Sequence, residues 1–350
     1  MKAIVVESYG PPEAAHMAER PEPVAGVGEV RVDVHAMGVN FPDVLTVAGR
    51  YQNLPGLPFV PGKEAAGCVV SVGPGVRQWR PGDRVMVQLE CGAFSESVTV
   101  AAEHCFAMPP GLPMIQAAAL GLTYQTAWFA LFDRARLRPG ETVLVTGAAG
   151  GVGSAAVQLA KAAGCRVLGA VSSNEKAAFV RALGADGVVD TRRENLRETI
   201  RDQVREHNHG EGADVVIESV GGEVFGGCLR ALAWSGRLIV VGFAGGEIPV
   251  VKANYTLIKH ISISGLHWSD YRDRFPERMR DAQAEIFRFW RNGRLVPPVT
   301  RVYPLADAAL ALAAIADRRA LGKLVLESVC GRAERERAEI ALPDPAEEVS

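Results

Sequence analysis

The stretch GETVLVTGAAGGVGSAAVQLAK, Gly140 to Lys161, decides the fold. Residues 142–147 form an apolar run that ends in glycine, and residues 154–164 carry helix formers up to a glycine suited to closing a helix. Between them the spacing is A-x-G-x-x-G. Ala148, Gly150 and Gly153 take the spaced positions, and Gly151 and Val152 lie between the last two. Small residues there let a strand turn tightly, let the backbone approach a pyrophosphate, and let the helix pack closely on the strand. Amides at the helix N-terminus then face the phosphates with the helix dipole aligned. A glycine string alone is weak evidence. Here it follows a strand and opens a helix, the context that dinucleotide binding requires.

The same rhythm continues downstream. RVLGAV (166–171), GVVD (187–190), DVVIESV (214–220) and GRLIVVGFA (236–244) read as buried strands. EKAAFVRALG (175–184), RENLRETIRDQVREHN (193–208) and GEVFGGCLRALA (222–233) read as the helices between them. Apolar strands alternating with helices predict βαβ units and a doubly wound parallel sheet covered on both faces. Upstream of about residue 110 the pattern differs. GEVRVDVHAMGV, AAGCVVSVGPGV, PGDRVMVQ and FSESVTVAAEHCFAMP are short alternating runs broken by Gly and Pro, which predicts a β-barrel or sandwich. Residues 111–137 read as helices. A polar helix at about 276–292, the helix LADAALALAAIADRRA and the strand GKLVLESV then return to the first domain. The expected division is 1–122 for the first part of the catalytic domain, 123–264 for the dinucleotide domain, 265–330 for the return, and a flexible polar tail over 331–350.

The second strand of the parallel sheet selects the cofactor. An NAD site places a carboxylate at its end, where it binds the ribose 2′-hydroxyl and repels a 2′-phosphate. Here Ser172 and Ser173 stand in that place and Lys176 follows. Hydroxyls and a cation suit a phosphate dianion, so NADPH is expected. The serines also suit the N-cap of the next helix, and the two roles are compatible.

Composition narrows the class. The 350 residues are 48% hydrophobic and 22% charged, with a net charge of −2, which gives no general field for nucleic acid or an anionic membrane. No apolar run is long enough to span a bilayer, and the start reads as a strand rather than a signal peptide, so the cytoplasm is expected. The six cysteines include no C-x-x-C pair, so no structural zinc cage is expected and the thiols read as buried.

The run 140–161, together with GVNFPDVLTVAGRY, PFVPGKEAAG, PGDRV, VVGFAGG and GKLVLE, resembles the zinc-independent quinone oxidoreductase and zeta-crystallin branch of the medium-chain dehydrogenases/reductases, over roughly residues 1–328. That resemblance implies a GroES-like, barrel-containing catalytic domain, a Rossmann domain and a homodimer. In zinc-dependent relatives a cysteine, a histidine and a further cysteine or acid hold a catalytic metal. The matching first and second positions here are Asn40 and Lys63, and LGLTYQT offers no third ligand. No metal is therefore expected. The resemblance places Asn40, Tyr51 and Lys63 in the substrate cleft as hydrogen-bond donors. It places Thr126, Gly242, Phe243, Gly322 and Lys323 near the cofactor. An aromatic frequent in the branch is replaced by Leu45.

Without a metal-polarised alkoxide, alcohol oxidation loses its main charge stabilisation. Hydride addition to a quinone or other α,β-unsaturated carbonyl needs only alignment and donors to the developing oxyanion. The alternatives are a 2-enoyl-thioester reductase, for which the charge of DYRDRFPERMR (270–280) would serve, and a non-catalytic NADPH-binding protein of the crystallin kind. Lys63 is expected either to pair with Glu64 or Asp43 or to stand beside the substrate oxygen.

Overall fold

A computed structural model of the chain describes residues 1–340, with side chains through residue 337. Two compact units form: residues 1–121 with the chain from Val299 onward, and Leu122–Pro298.

The first unit begins with β1 (Lys2–Val6) and β2 (Ala15–Glu19), an antiparallel pair. β3 (Glu29–Val39) is its central strand. Val30, Val32 and Val34 alternate with half-buried Arg31 and Asp33, and residues 35–39 are then buried throughout. That change follows the shift from alternating to continuous apolar sequence. After β3 come α1 (Phe41–Val47), β4 (Glu64–Val72), β5 (Arg84–Gln88), β6 (Ser97–Ala101), β7 (Cys105–Ala107) and α2 (Met114–Ala117).

The second unit starts with α3 (Leu122–Trp128) and a π-helical turn. It then alternates: β8 (Thr142–Thr146), α4 (Gly151–Ala162), β9 (Arg166–Val171), α5 (Asn174–Ala182), β10 (Gly187–Asp190), α6 (Leu196–His207), β11 (Ala213–Glu218), α7 (Gly222–Ala231), β12 (Leu232–Val240), α8 (Asn254–Lys259) and β13 (Ser262–Gly265). The six strands are all parallel, in the order β10-β9-β8-β11-β12-β13. The order reverses beside β8, between β9 and β11, which is where open parallel sheets bind ligands. α9 (Trp268–Arg274) and α10 (Pro276–Arg291) complete this unit.

The chain re-enters the first unit through β14 (Val299–Pro304), α11 (Ala308–Ala316), β15 (Lys323–Glu327) and α12 (Val329–Ile340). The first unit's main sheet runs β14-β15-β3-β4-β5-β7. One edge of β3 carries β4, and the other carries β6 and then β15. The fold is thus a GroES-like unit and a Rossmann unit, as expected. No helix of the described residues is long and apolar enough to cross a membrane.

Two boundaries differ from the sequence expectation. The return begins at Val299 rather than 265, because α9 and α10 are tied to α3 by polar side chains. Trp268 Nε1 donates to Gln125 Oε1 (2.9 Å), Gln125 Nε2 to Gln283 Oε1 (2.9 Å), and Trp128 Nε1 to Glu285 Oε2 (2.7 Å). The tail expected from 331 is instead the helix α12 as far as Ile340, and residues 341–350 lie outside the described residues. Arg335 donates to both oxygens of buried Glu327 (2.9 and 3.1 Å). Gly331 lies against β3, where an added Cβ would stand 2.1 Å from His35 O. Gly331→Val should therefore cost about 1–3 kcal/mol of stability, read as a lower urea midpoint. An unchanged midpoint would mean that α12 does not dock there.

Candidate active site

Strand register builds the first constellation. Antiparallel pairing of β3 with β4 and β15 brings Asn40, just past β3, beside the first residues of both partners, Glu64 and Lys323. Lys323 Nζ donates to Glu64 Oε1 (2.8 Å), Asn40 Oδ1 (2.7 Å) and Val39 O (3.3 Å). Asn40 Nδ2 donates to Glu64 Oε1 (2.9 Å) and Gly38 O (3.2 Å). Glu64 and Lys323 are 0% and 1% exposed, so Lys323 is no surface residue. Room for the carboxylate comes from two missing side chains. A Cβ on Gly38 would lie 2.3 Å from Glu64 Oε1, and one on Gly121 2.4 Å from Oε2. Gly322, at φ 56°, turns the chain into β15.

Lys63, adjacent in sequence to Glu64, takes a different partner. Its ammonium donates to Glu90 Oε1 (2.5 Å) and Glu90 O (2.9 Å) and lies 4.4 Å from the centroid of the Tyr51 ring. The expected pairing with Glu64 or Asp43 is replaced: Glu64 is taken by Lys323 and the Asn40 amide, and Asp43 by Asn40 N. Asp43 accepts from Asn40 N (2.8 Å), closing a capping box on α1. Burial pushes its carboxyl up to about 7. The charges of Lys63 and Lys323 and the Asn40 amide oppose that rise, and Glu64 adds to it.

The second unit carries the glycine-rich turn. β8 leads through Gly147 (φ 56°) to Gly150, the residue before α4, which has no side-chain cap. No side chain caps the first-turn amides of Gly151, Val152 and Gly153. Helix and strand are so close that a Cβ on Gly153 would stand 2.2 Å from Gly147 O. Ala148 N bonds across to Ala170 O on β9 (3.3 Å). At the end of β9, Ser173 caps α5 by accepting from Lys176 N (3.1 Å), while Ser172 is exposed. Thr126 is buried, and its hydroxyl is turned back to Leu122 O (2.7 Å).

Several residues here were not singled out from the sequence. At the reversal of strand order, Glu218 Oε1 accepts from Val220 N (2.8 Å) and Gly221 N (2.9 Å). Ser219 N donates to Thr146 Oγ1 (2.9 Å), tying β11 to β8. Burial raises the Glu218 carboxyl above its ordinary range, against the pull of those two amides and Thr146. The Gly242–Phe243 segment joins this corner, since Ala244 N donates to Ser219 O (2.9 Å) and Gly245 N to Val220 O (2.7 Å). Arg192 reaches the α5 corner with a bond to Asn174 Oδ1 (3.0 Å), and two more hold it to Asp190 (2.7 and 2.9 Å). The one available signal was the pair of arginines closing the third strand.

Lys323→Met removes the ammonium from a buried carboxylate and should cost about 3–5 kcal/mol in urea unfolding. A loss under about 1 kcal/mol would contradict the pairing. Asp43 binds its proton more tightly folded than unfolded. Its contribution is therefore present at low pH and is lost as pH rises from 3.8 to about 7. Asp43→Asn should flatten the fall in unfolding free energy across that window. A slope equal to wild type would show that Asp43 does not titrate there.

Residues 26–111 match the alcohol dehydrogenase GroES-like domain, and residues 151–284 the zinc-binding dehydrogenase family. Among the described residues no group of three or more His, Cys, Asp or Glu is placed to hold a metal ion. The chain is 41% identical over 306 residues to a quinone oxidoreductase-like protein 2 homolog of Nematostella vectensis, covering 87% of this chain and 82% of that protein. It superimposes on Escherichia coli quinone oxidoreductase complexed with NADPH with a TM-score of 0.86 and 30% identity, covering 93% of this chain and 100% of the other. A mycobacterial protein complexed with NADPH matches with a TM-score of 0.87 and 33% identity, over 93% and 100%. With these likenesses spanning both units, the chain belongs to the zinc-independent quinone oxidoreductase branch of the medium-chain dehydrogenase/reductase superfamily.

Proposed function

We propose that the chain is a metal-free, NADPH-dependent reductase of quinones or other α,β-unsaturated carbonyl compounds. The observation that carries this is the turn into α4, uncapped and built of small residues, followed at the end of β9 by hydroxyls and a lysine where a carboxylate would select NAD. These residues fit the cofactor. Ala148, Gly150, Gly151, Val152 and Gly153 would hold the pyrophosphate. Ser172, Ser173 and Lys176 would receive the 2′-phosphate, with Arg192 beside them. We assign Thr126, Gly242, Phe243 and Gly322 to the nicotinamide half; Lys323, expected there, has its ammonium committed to Glu64, Asn40 and Val39 and is assigned to holding that cluster. When bound, NADPH supplies the hydride.

The first unit contributes donors. Lys63 is fixed by Glu90 against the face of Tyr51, so its charge strengthens hydrogen bonds that the Tyr51 hydroxyl gives to a developing oxyanion. Both amide protons of Asn40 are committed to Glu64 and Gly38, so we assign it to holding Lys323 and α1 in place. An ammonium at Lys63 repels a divalent cation, which supports metal-free chemistry. The basic stretch 270–280 gives little support to a thioester substrate. Arg272 is 5% exposed and bonded to Asp273, and Arg278 is bonded to Asp133. We add a cytoplasmic homodimer, the latter supported by Trp234, Leu257 and Ile258 exposed on the second unit.

The test is NADPH oxidation with 1,2-naphthoquinone, an enone and crotonyl-coenzyme A, repeated with NADH. Turnover of the quinone or enone with NADPH is expected, and binding of NADPH without any turnover would favour the crystallin-like reading. Lys176→Ala should raise KM for NADPH about tenfold and leave that for NADH nearly unchanged. Lys63→Met should lower kcat about 100-fold when measured on the folded enzyme, and unchanged turnover would remove Lys63 from the reaction.

A further inference from the structure

We propose that Cys330 is a nucleophilic thiol, served by His35 as base and Glu334 as the group that orients the base, and that it is a site of covalent addition to α,β-unsaturated carbonyl electrophiles. It lies past the end of β15, whose first residue is Lys323, so the length of that strand separates it from the Glu64–Lys323 pair.

The first turn of α12 is fastened over β3 at His35. Ser328 N donates to His35 O (3.1 Å), Gly331 N to Ser328 Oγ (3.1 Å), and Gly331 lets the two backbones meet. This sets Cys330 Sγ 3.6 Å from His35 Nε2. One helical turn on, on the same face, the Glu334 carboxylate bonds His35 Nδ1. A carboxylate can only accept, so Nδ1 carries the ring proton and Nε2 presents its lone pair to the thiol. Arg84 stands 3.8 Å from the other oxygen of Glu334 and steadies it. Nucleophile, base and carboxylate thus follow the order found in activated cysteines.

His35 is 8% exposed, whereas Cys330 is exposed next to Val329 at 73%, so the base is sheltered and the sulfur is open to reagents. Burial, with Asp33 and Glu334 adding to it and Arg337 opposing, raises the Cys330 thiol above its ordinary range. The resting group is therefore the protonated thiol, and the adjacent His35 ring has to take its proton for the sulfur to attack. Cys105 and Cys228 are buried.

In the addition, sulfur forms a bond to the β-carbon as the thiol proton passes to His35 Nε2. The C=C pair moves toward the carbonyl oxygen, and the imidazolium returns the proton to the α-carbon. One C–S and one C–H bond replace the S–H bond and the C=C π bond, and no oxidant is consumed. The electrophile class overlaps the substrates proposed above, but the inference is independent of turnover.

The full chain is treated with limiting N-ethylmaleimide at neutral pH, and labelling of each cysteine is followed by peptide mass mapping. Cys330 should be labelled first. His35→Gln and Glu334→Gln should each slow it about tenfold or more, with the rate at Cys91 unchanged. Glu334 is exposed enough that its substitution keeps the test valid if His35→Gln fails to fold. Equal Cys330 rates in wild type and Glu334→Gln, or labelling of Cys330 no faster than Cys91, would overturn the proposal.

Discussion

The pairing of Glu64 with Lys323 is the constraint on which the first unit depends. Two ions with essentially no exposure are costly to desolvate, and only good geometry with further hydrogen bonds offsets that cost. Here the ammonium has three acceptors, and the bonded carboxylate oxygen also receives the Asn40 amide. The partners lie 259 positions apart, with the whole second unit between them. The pair therefore closes the first unit around its insertion and fixes the register of β15 on β3. Gly38 and Gly121 are part of the same device, since a side chain at either place would occupy the carboxylate's space.

Charge balance follows from this. Lys63 and Lys323 are matched by Glu90 and Glu64. Asp43 is a third carboxyl in the same buried region, and its rise to about 7 keeps the cluster close to neutral at physiological pH. Lys63 is thus held by its own carboxylate and an aromatic ring. These contacts fix its charge in place, which is the preorganisation that the proposed oxyanion role requires.

The parallel sheet was legible because β8, β9 and β11 are continuous apolar runs and the turn into α4 admits only small residues. The Ser173 cap was legible for a similar reason, as its hydroxyl serves the backbone three residues on. Ion-pair partners were not. Lys63 and Glu64, neighbours in sequence, take different partners, Glu90 and Lys323, which lie far along the chain and are brought in by strand pairing. Nor was α12, which is held by Arg335, Glu327 and a backbone contact at Gly331 and carries no apolar stripe to reveal it. The polar bonds of Gln125 and Trp128 kept 265–298 with the second unit for the same reason. That helix α12 in turn creates the Cys330–His35 contact, which no local spacing announces.

In the proposed reaction hydride passes from NADPH to a conjugated acceptor. NADPH deuterated at the nicotinamide C4 is turned over with an enone, and the product is read by NMR. Deuterium on the β-carbon of a saturated ketone is expected. Deuterium on the carbonyl carbon of an allylic alcohol, or no transfer at all, would contradict the proposed reaction.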